Sequence, residues 1–244
     1  MLELWTGFVD ALYPLGCRLC GAALGVDTLA CAAHPLEIDL ASPRCGRCAA
    51  ELSPALPDGG LCPECRREGR RFERALCVGS YRTGLHDWVL AFKHGGRRDL
   101  AVPLGALLAQ RLKESGATGL LVPVPLHALR QFERGYDQAA LLARELVQRT
   151  GMQSCAALAR TRATRPQGSA LSLSRDANVR GAFRVRRLAR RAIAGAQVWL
   201  VDDVMTSGST ADECARVLLH AGAAKVGVAL LARAGTERSL SRPS

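Results

Sequence analysis

From about Tyr81 onward, short apolar runs alternate with stretches in which apolar residues recur every three or four positions. The runs at 76–81, 120–124, 198–202 and 226–231 predict strands. Leu100 to Leu112, Tyr136 to Arg149 and Ala211 to Ala221 predict helices, each long enough to carry the chain back over a sheet. That alternation predicts an α/β domain with a mainly parallel sheet. Trp88 and Phe92 stand one helical turn apart and are expected in its core. The stretch from Arg233 to Ser244 has little apolar surface to bury and is expected to be loose. The run Val226-Gly-Val-Ala-Leu-Leu-Ala232 falls well short of the roughly 20 residues a membrane span needs, so no membrane insertion is expected.

Upstream the pattern is different. Seven of the ten cysteines lie between Cys17 and Cys65. They form Cys17-Arg-Leu-Cys20, Cys31-Ala-Ala-His34, Cys45-Gly-Arg-Cys48 and Cys62-Pro-Glu-Cys65, four pairs with a two-residue gap. Such a pair turns two ligands to one side of a knuckle, at the separation of two corners of a zinc tetrahedron. Four knuckles suffice for two structural zinc ions, or for one if His34 is not a ligand; neighbouring and interleaved pairings both remain open. The N-terminus, Met1-Leu-Glu-Leu-Trp-Thr-Gly-Phe-Val-Asp10, carries acids where a secretory leader carries basic residues, so a cytoplasmic location and reduced thiols are expected. Cys77, Cys155 and Cys214 stand alone and are expected to be inert. The organisation that follows is an N-terminal helix and double zinc ribbon over 1–75, an α/β domain over 76–233 and a flexible tail over 234–244.

The 244-residue chain carries a net charge of +11, and the excess is local. Between Arg160 and Arg191 ten arginines face one acid, Asp176. Phosphate or nucleic acid would suit such a segment, as would a solvated basic loop or a codon-biased composition rich in arginine and alanine.

The most informative stretch is Val198-Trp-Leu-Val-Asp-Asp-Val-Met-Thr-Ser-Gly-Ser-Thr210. Four apolar residues make a buried strand, and Asp202 and Asp203 stand at its C-terminal end, where open α/β sheets place ligands. The loop Thr206-Ser207-Gly208-Ser209-Thr210 then leads into a helix. Its backbone N–H groups, hydroxyls and helix dipole form a cup for a phosphate. No lysine follows as in a nucleoside-triphosphate loop, so a sugar phosphate is the natural occupant, with the acids reaching ribose hydroxyls.

This segment resembles the phosphoribosyl-pyrophosphate (PRPP) motif of type I phosphoribosyltransferases. With Phe92-Lys93-His94-Gly95-Gly96, Val122-Pro-Val-Pro-Leu126, Arg134-Gly-Tyr-Asp-Gln138, and Pro166, Gln167, Arg175, Asn178, Val179, Gly181 and Phe183, the chain resembles the ComF family over roughly residues 15–233. That family joins a zinc ribbon to a phosphoribosyltransferase domain. The chain departs from the family pattern at His34 (commonly Cys), Asp137 (commonly Asn) and Ser207 (commonly Thr).

The resemblance implies that Asp202 and Asp203 hold the ribose 2′- and 3′-hydroxyls while Thr206 to Thr210 hold the 5-phosphate. Arg130 and Arg134, with Lys93 and His94 in a glycine-flanked turn, would meet the pyrophosphate together with Mg²⁺. Asp202, Asp203 and Arg134 are the expected catalytic set. Arg162 to Arg184 falls where such enzymes carry a mobile hood. Three functions stay open: phosphoribosyl transfer to an unknown acceptor, handling of single-stranded DNA in concert with an uptake machinery, and a scaffold. Homodimers are common among the proteins the chain resembles.

Overall fold

The computed structural model describes residues 16–24, 30–36, 38, 42–126, 135–161 and 179–235. Its main elements, in chain order, are α1 (Pro63–Arg67), β1 (Ala75–Ser80), α2 (Thr83–His94), α3 (Ala101–Glu114), β2 (Leu120–Pro123), α4 (Gln138–Thr150), β3 (Gln153–Ser154), β4 (Leu158–Arg160), β5 (Phe183–Val185), α5 (Arg190–Ile193), β6 (Gln197–Met205), α6 (Ser209–His220) and β7 (Lys225–Arg233). Five strands form one sheet in the order β1-β7-β6-β2-β3, and every pairing is parallel. β4 and β5 pair antiparallel, apart from it.

Continuous apolar runs make the central strands because both faces of the sheet are covered. Successive side chains of β6 alternate between two cores. Val198 and Leu200 pack with Cys214 and Leu218 of α6 and with Phe72 and Leu52 near the cysteine pairs. Trp199 and Val201 face the other way, among Trp88, Phe92, Leu104, Leu108, Leu142 and Leu146 of α2, α3 and α4. Trp199 donates from Nε1 to the Thr118 carbonyl at 3.1 Å. Gly227 on β7 lies beneath that ring, where a Cβ would come within 2.7 Å of it.

The predicted strands and helices are present, with two differences that bear on the site. β6 continues three residues past its predicted end, so Asp202, paired with Leu230, and Asp203 lie within the strand and Val204 and Met205 extend it beyond them. α2 was not predicted. Lys93 and His94 form its last turn and not a glycine-flanked turn, because Gly95 and Gly96 terminate a helix whose apolar face is set by Leu85, Trp88, Val89 and Phe92. Arg233 closes β7 and is 3% exposed, so the loose segment expected from that residue onward does not include it. No helix among the described residues is long and apolar enough to cross a membrane.

Candidate functional site: an acidic strand end, a hydroxyl loop and a cysteine cluster behind it

Parallel strands converge their C-terminal ends on one edge, and β6 delivers the acids there. Being adjacent on a strand, they face opposite ways. Asp203 points to the α2 side, where its Oδ1 lies 3.2 Å from Lys93 Nζ; the two side chains are only 11% and 16% exposed. Lys93 is brought to this edge by contacts on the last turn of α2. The Tyr136 hydroxyl donates to the Phe92 carbonyl, and Gln138 Nε2 donates to the Lys93 carbonyl at 3.3 Å. Asp137 caps α4 by accepting from the Ala140 N–H at 3.0 Å, and burial raises its carboxyl above the ordinary range. The family departure at Asp137 therefore supplies a helix cap.

Asp202 points to the α6 side and lines a small pocket of about 60 Å³ with Val204 and the loop from Thr206 to Ala211. Burial first, and then the negative charge of Asp203, push its carboxyl up to about 7, although the Asp203 N–H donates to Asp202 Oδ1 at 2.9 Å. Gly208 caps α6 with φ at +83°, a left-handed conformation that costs glycine nothing. Ser207 and Ser209 hydroxyls meet at 2.8 Å. A larger cavity of about 570 Å³ opens beside Gly119, Gly151 and Gln197, at the opposite edge of the sheet, away from both acids.

The cysteine pairs join as neighbours, which resolves the open pairing. Cys17, Cys20, Cys31 and His34 form one cluster, and Cys45, Cys48, Cys62 and Cys65 the other, with the ligand atoms of each within 4.8 Å of one another. Cys20 Sγ lies 3.7 Å from Cys31 Sγ, and Cys48 Sγ lies 3.6 Å from Cys62 Sγ. Tetrahedral zinc with bonds of about 2.3 Å sets its thiolates about 3.8 Å apart, so both clusters fit structural zinc. His34 presents Nδ1 at 3.4 Å from Cys31 Sγ, inside the first cluster. In the second cluster, hydrogen bonds from Cys48 and Cys65 hold the Cys45 thiol far below its ordinary value, while the bond to Cys45 pushes Cys48 up to about 11 and Cys65 well above the ordinary thiol range. All four cysteines there are buried. None of the ten cysteines is in a disulfide.

Two arginines that the sequence analysis did not single out lie between this second cluster and the loop from Thr206 to Thr210. Arg233 donates from Nε to the Cys48 carbonyl at 3.0 Å and from Nη1 to the carbonyls of Met205 (3.1 Å), Thr206 and Ala234. Arg70 donates from Nη2 to the Ser207 carbonyl at 2.9 Å and pairs with Glu64, between Cys62 and Cys65, at 2.5 Å. For Arg233 the available signal was a charge closing an apolar strand. For Arg70 there was none.

Of the residues proposed from sequence, the structure joins Lys93 to Asp203 and gathers Asp202 with Thr206, Ser207, Gly208, Ser209 and Thr210. Arg130 and Arg134 lie outside the described residues, as does most of the proposed hood, 162–178.

A parallel sheet that ends one central strand in two acids and a Thr-Ser-Gly-Ser-Thr loop defines a domain of the phosphoribosyltransferase type, and residues 99–243 match the phosphoribosyl transferase domain. The chain is 35% identical over 201 residues to the DNA utilization protein YhgH of Salmonella typhimurium, covering 78% of this chain and 83% of that one. It is 31% identical over 224 residues to the Escherichia coli protein of that name, covering 89% of each. To Competence protein F of Haemophilus influenzae it is 29% identical over 199 residues, covering 79% of this chain and 85% of the relative. The chain belongs to the ComF family of phosphoribosyltransferase-domain proteins.

Proposed function

We propose that the domain binds PRPP with Mg²⁺ and transfers its phosphoribosyl group to an acceptor, usually a nitrogen nucleophile, with pyrophosphate leaving C1 of the ribose. The observation that carries this reading is one continuous stretch, Asp202 to Thr210, in which the half-buried Asp202 carboxylate lines the same small pocket as a glycine-turned hydroxyl loop at a helix N-terminus. The 5-phosphate occupies that pocket, held by loop N–H groups and hydroxyls. Asp202 accepts from a ribose hydroxyl, and Asp203 holds the second through a carboxylate fixed by Lys93. Catalysis is then chiefly positioning, together with stabilisation of the leaving charge by Lys93, Arg130 and Arg134.

Lys93 already occupies one Asp203 oxygen, so the described residues offer Mg²⁺ no cluster of free carboxylates here. The ligand's own pyrophosphate oxygens would hold the ion, which would neutralise charge on the leaving group. Calorimetric titration with PRPP and Mg²⁺ tests the reading. Binding by the zinc-loaded protein that Asp203→Asn loses supports it, and no binding by the wild type removes it.

A second reading, handling of single-stranded DNA, is favoured by a different surface. Arg184, Arg186, Arg187, Arg190 and Arg191 lie on or beside β5 and α5 around Leu188, which is 99% exposed. Relatives named for DNA utilization and competence point the same way. Retention of single-stranded DNA that survives a rise from about 50 to 200 mM salt supports this reading, because purely electrostatic phosphate binding collapses over that range.

A further inference from the structure

We infer that Arg70 and Arg233 are positioning residues that hold the phosphate loop in its anion-binding form, and that through them zinc in the Cys45–Cys48–Cys62–Cys65 cluster is coupled to binding of a sugar phosphate at the loop. The inference rests on the phosphate-site reading above and adds to it the part played by the ribbon.

Three consecutive carbonyls, those of Met205, Thr206 and Ser207, are taken by the two guanidinium groups. Among the described residues there is no cis peptide, and in a trans peptide the C=O of one residue and the N–H of the next point in opposite directions. Drawing these three oxygens toward the ribbon therefore turns the N–H groups of Thr206, Ser207 and Gly208 away from it. None of those N–H groups has an acceptor among the described residues. Rotating any of these peptides would aim a carbonyl at the phosphate. The arginines oppose that rotation from the far side of the loop, where a ligand makes no contact.

Both guanidinium groups are fastened at their other end to the metal knuckles. Arg233 holds the carbonyl of Cys48, itself a cluster member. Arg70 is paired with Glu64, one residue before Cys65. The side chains are hardly exposed, Arg70 at 6% and Arg233 at 3% as a residue, so neither is free to find water instead. A zinc ion that fixes four thiolates fixes the Cys48 carbonyl and the Glu64 helix with them. Without it, the arginines lose their fixed anchors and the loop its orienting donors. Coupling of this kind is reciprocal, so a ligand that requires the oriented loop must tighten the zinc site by the same factor.

The test uses the zinc-loaded full chain, with ribose 5-phosphate as probe and a chromogenic chelator to time zinc release. The slower phase reports the second cluster, because its four cysteines are buried while Cys20 of the first is exposed. Saturating ribose 5-phosphate is expected to slow that phase at least 5-fold. Arg70→Met should keep its zinc stoichiometry and circular dichroism, bind ribose 5-phosphate at least 10-fold more weakly and lose the slowing. Arg70→Lys, which restores the charge without the fork, should recover part of both effects.

Ribose 5-phosphate that binds by calorimetry while leaving both zinc release and zinc affinity, measured by chelator competition, unchanged overturns the coupling alone. An Arg70→Met protein with wild-type affinity overturns the positioning role. Failure of the wild type to bind either ribose 5-phosphate or PRPP removes the phosphate site, and the inference with it.

Discussion

Lys93 and Asp203 form a largely buried ion pair, Nζ to Oδ1 at 3.2 Å, between the last turn of α2 and the end of β6. Two consequences follow from its burial. The carboxylate is oriented before any ligand arrives, and removing its partner leaves a charge that solvent reaches poorly.

Lys93→Met is therefore expected to destabilise the fold by about 3 kcal/mol, the usual cost of orphaning one member of a buried pair. Asp203→Asn should cost less, because the flexible Lys93 ammonium can swing toward water and already lies 5.7 Å from the centre of the Tyr81 ring. Urea unfolding of the two variants measures the difference. Costs below about 1 kcal/mol for both would show that the pair behaves as an exposed one.

Stability should fall with rising pH because of Asp202. Its carboxyl is raised to about 7 in the folded protein against 3.8 in the unfolded chain, by burial and then by Asp203. Between those values the folded state holds a proton that the unfolded state has released. The stabilisation is complete below about pH 4 and lost as the pH passes through 7. Glu213 acts in the opposite sense: the hydrogen bonds from Arg216 lower its carboxyl, so its contribution is present above its unfolded value and lost as the pH falls through the folded one. Asp202→Asn should remove only the first slope, leaving stability near that of the wild type at pH 4 and above it at pH 8. Denaturant melts across that range check this, and an unchanged slope would assign it to another group.

Much of this arrangement was legible because parallel strands covered on both faces must be apolar throughout, and Val198 to Val201 and Val226 to Ala232 are nearly so. The acids and the Thr206–Thr210 loop follow such a run directly, which places them at a sheet edge without any knowledge of the rest. What was not legible depends on backbone acceptors. Arg233 binds the Cys48 carbonyl 185 positions away, and Arg70 binds the Ser207 carbonyl 137 positions away. Every residue has a carbonyl, so neither contact leaves a mark on residue type. Lys93 was misplaced for another reason: the glycines after it read equally well as a flexible turn and as a helix stop, and the packing of Phe92 decides between them.

The two cysteine clusters should differ in their contribution to folding. Cys45, Cys48, Cys62 and Cys65 are continuous with the core around Leu52, Phe72 and Cys214. The first cluster includes exposed Cys20 and reaches the domain through the His34 carbonyl, which accepts from Trp88 Nε1 at 3.3 Å, and through the half-buried Leu19, Ala30 and Leu36. Binding free energy at a structural site is folding free energy, so Cys48→Ser should lower the melting temperature by at least 10 °C along with zinc content. Cys20→Ser should lose a similar amount of zinc with a shift of a few degrees. Elemental analysis and thermal melts of both variants decide it; equal shifts would place both clusters in the core.

Two glycines separate the fold from the site. A Cβ on Gly227 would lie 2.7 Å from the Trp199 ring, which is itself held by the Thr118 carbonyl and has nowhere to go. Gly227→Ala should cost about 1–3 kcal/mol as overpacking, with phosphate binding unchanged at temperatures where the variant is folded. At Gly208 the nearest atom to an added Cβ is Met205 Sδ at 3.4 Å, so the space suffices and the constraint is φ at +83°. Gly208→Ala should cost only about 1 kcal/mol in stability if the left-handed turn is kept. Relaxing that strain would rotate the peptides whose N–H groups face the pocket, so affinity for ribose 5-phosphate should fall at least 10-fold. Thermal melts and calorimetry on the pair give opposite patterns if the loop is the phosphate site, and a Gly208→Ala protein with full affinity would place the anion elsewhere.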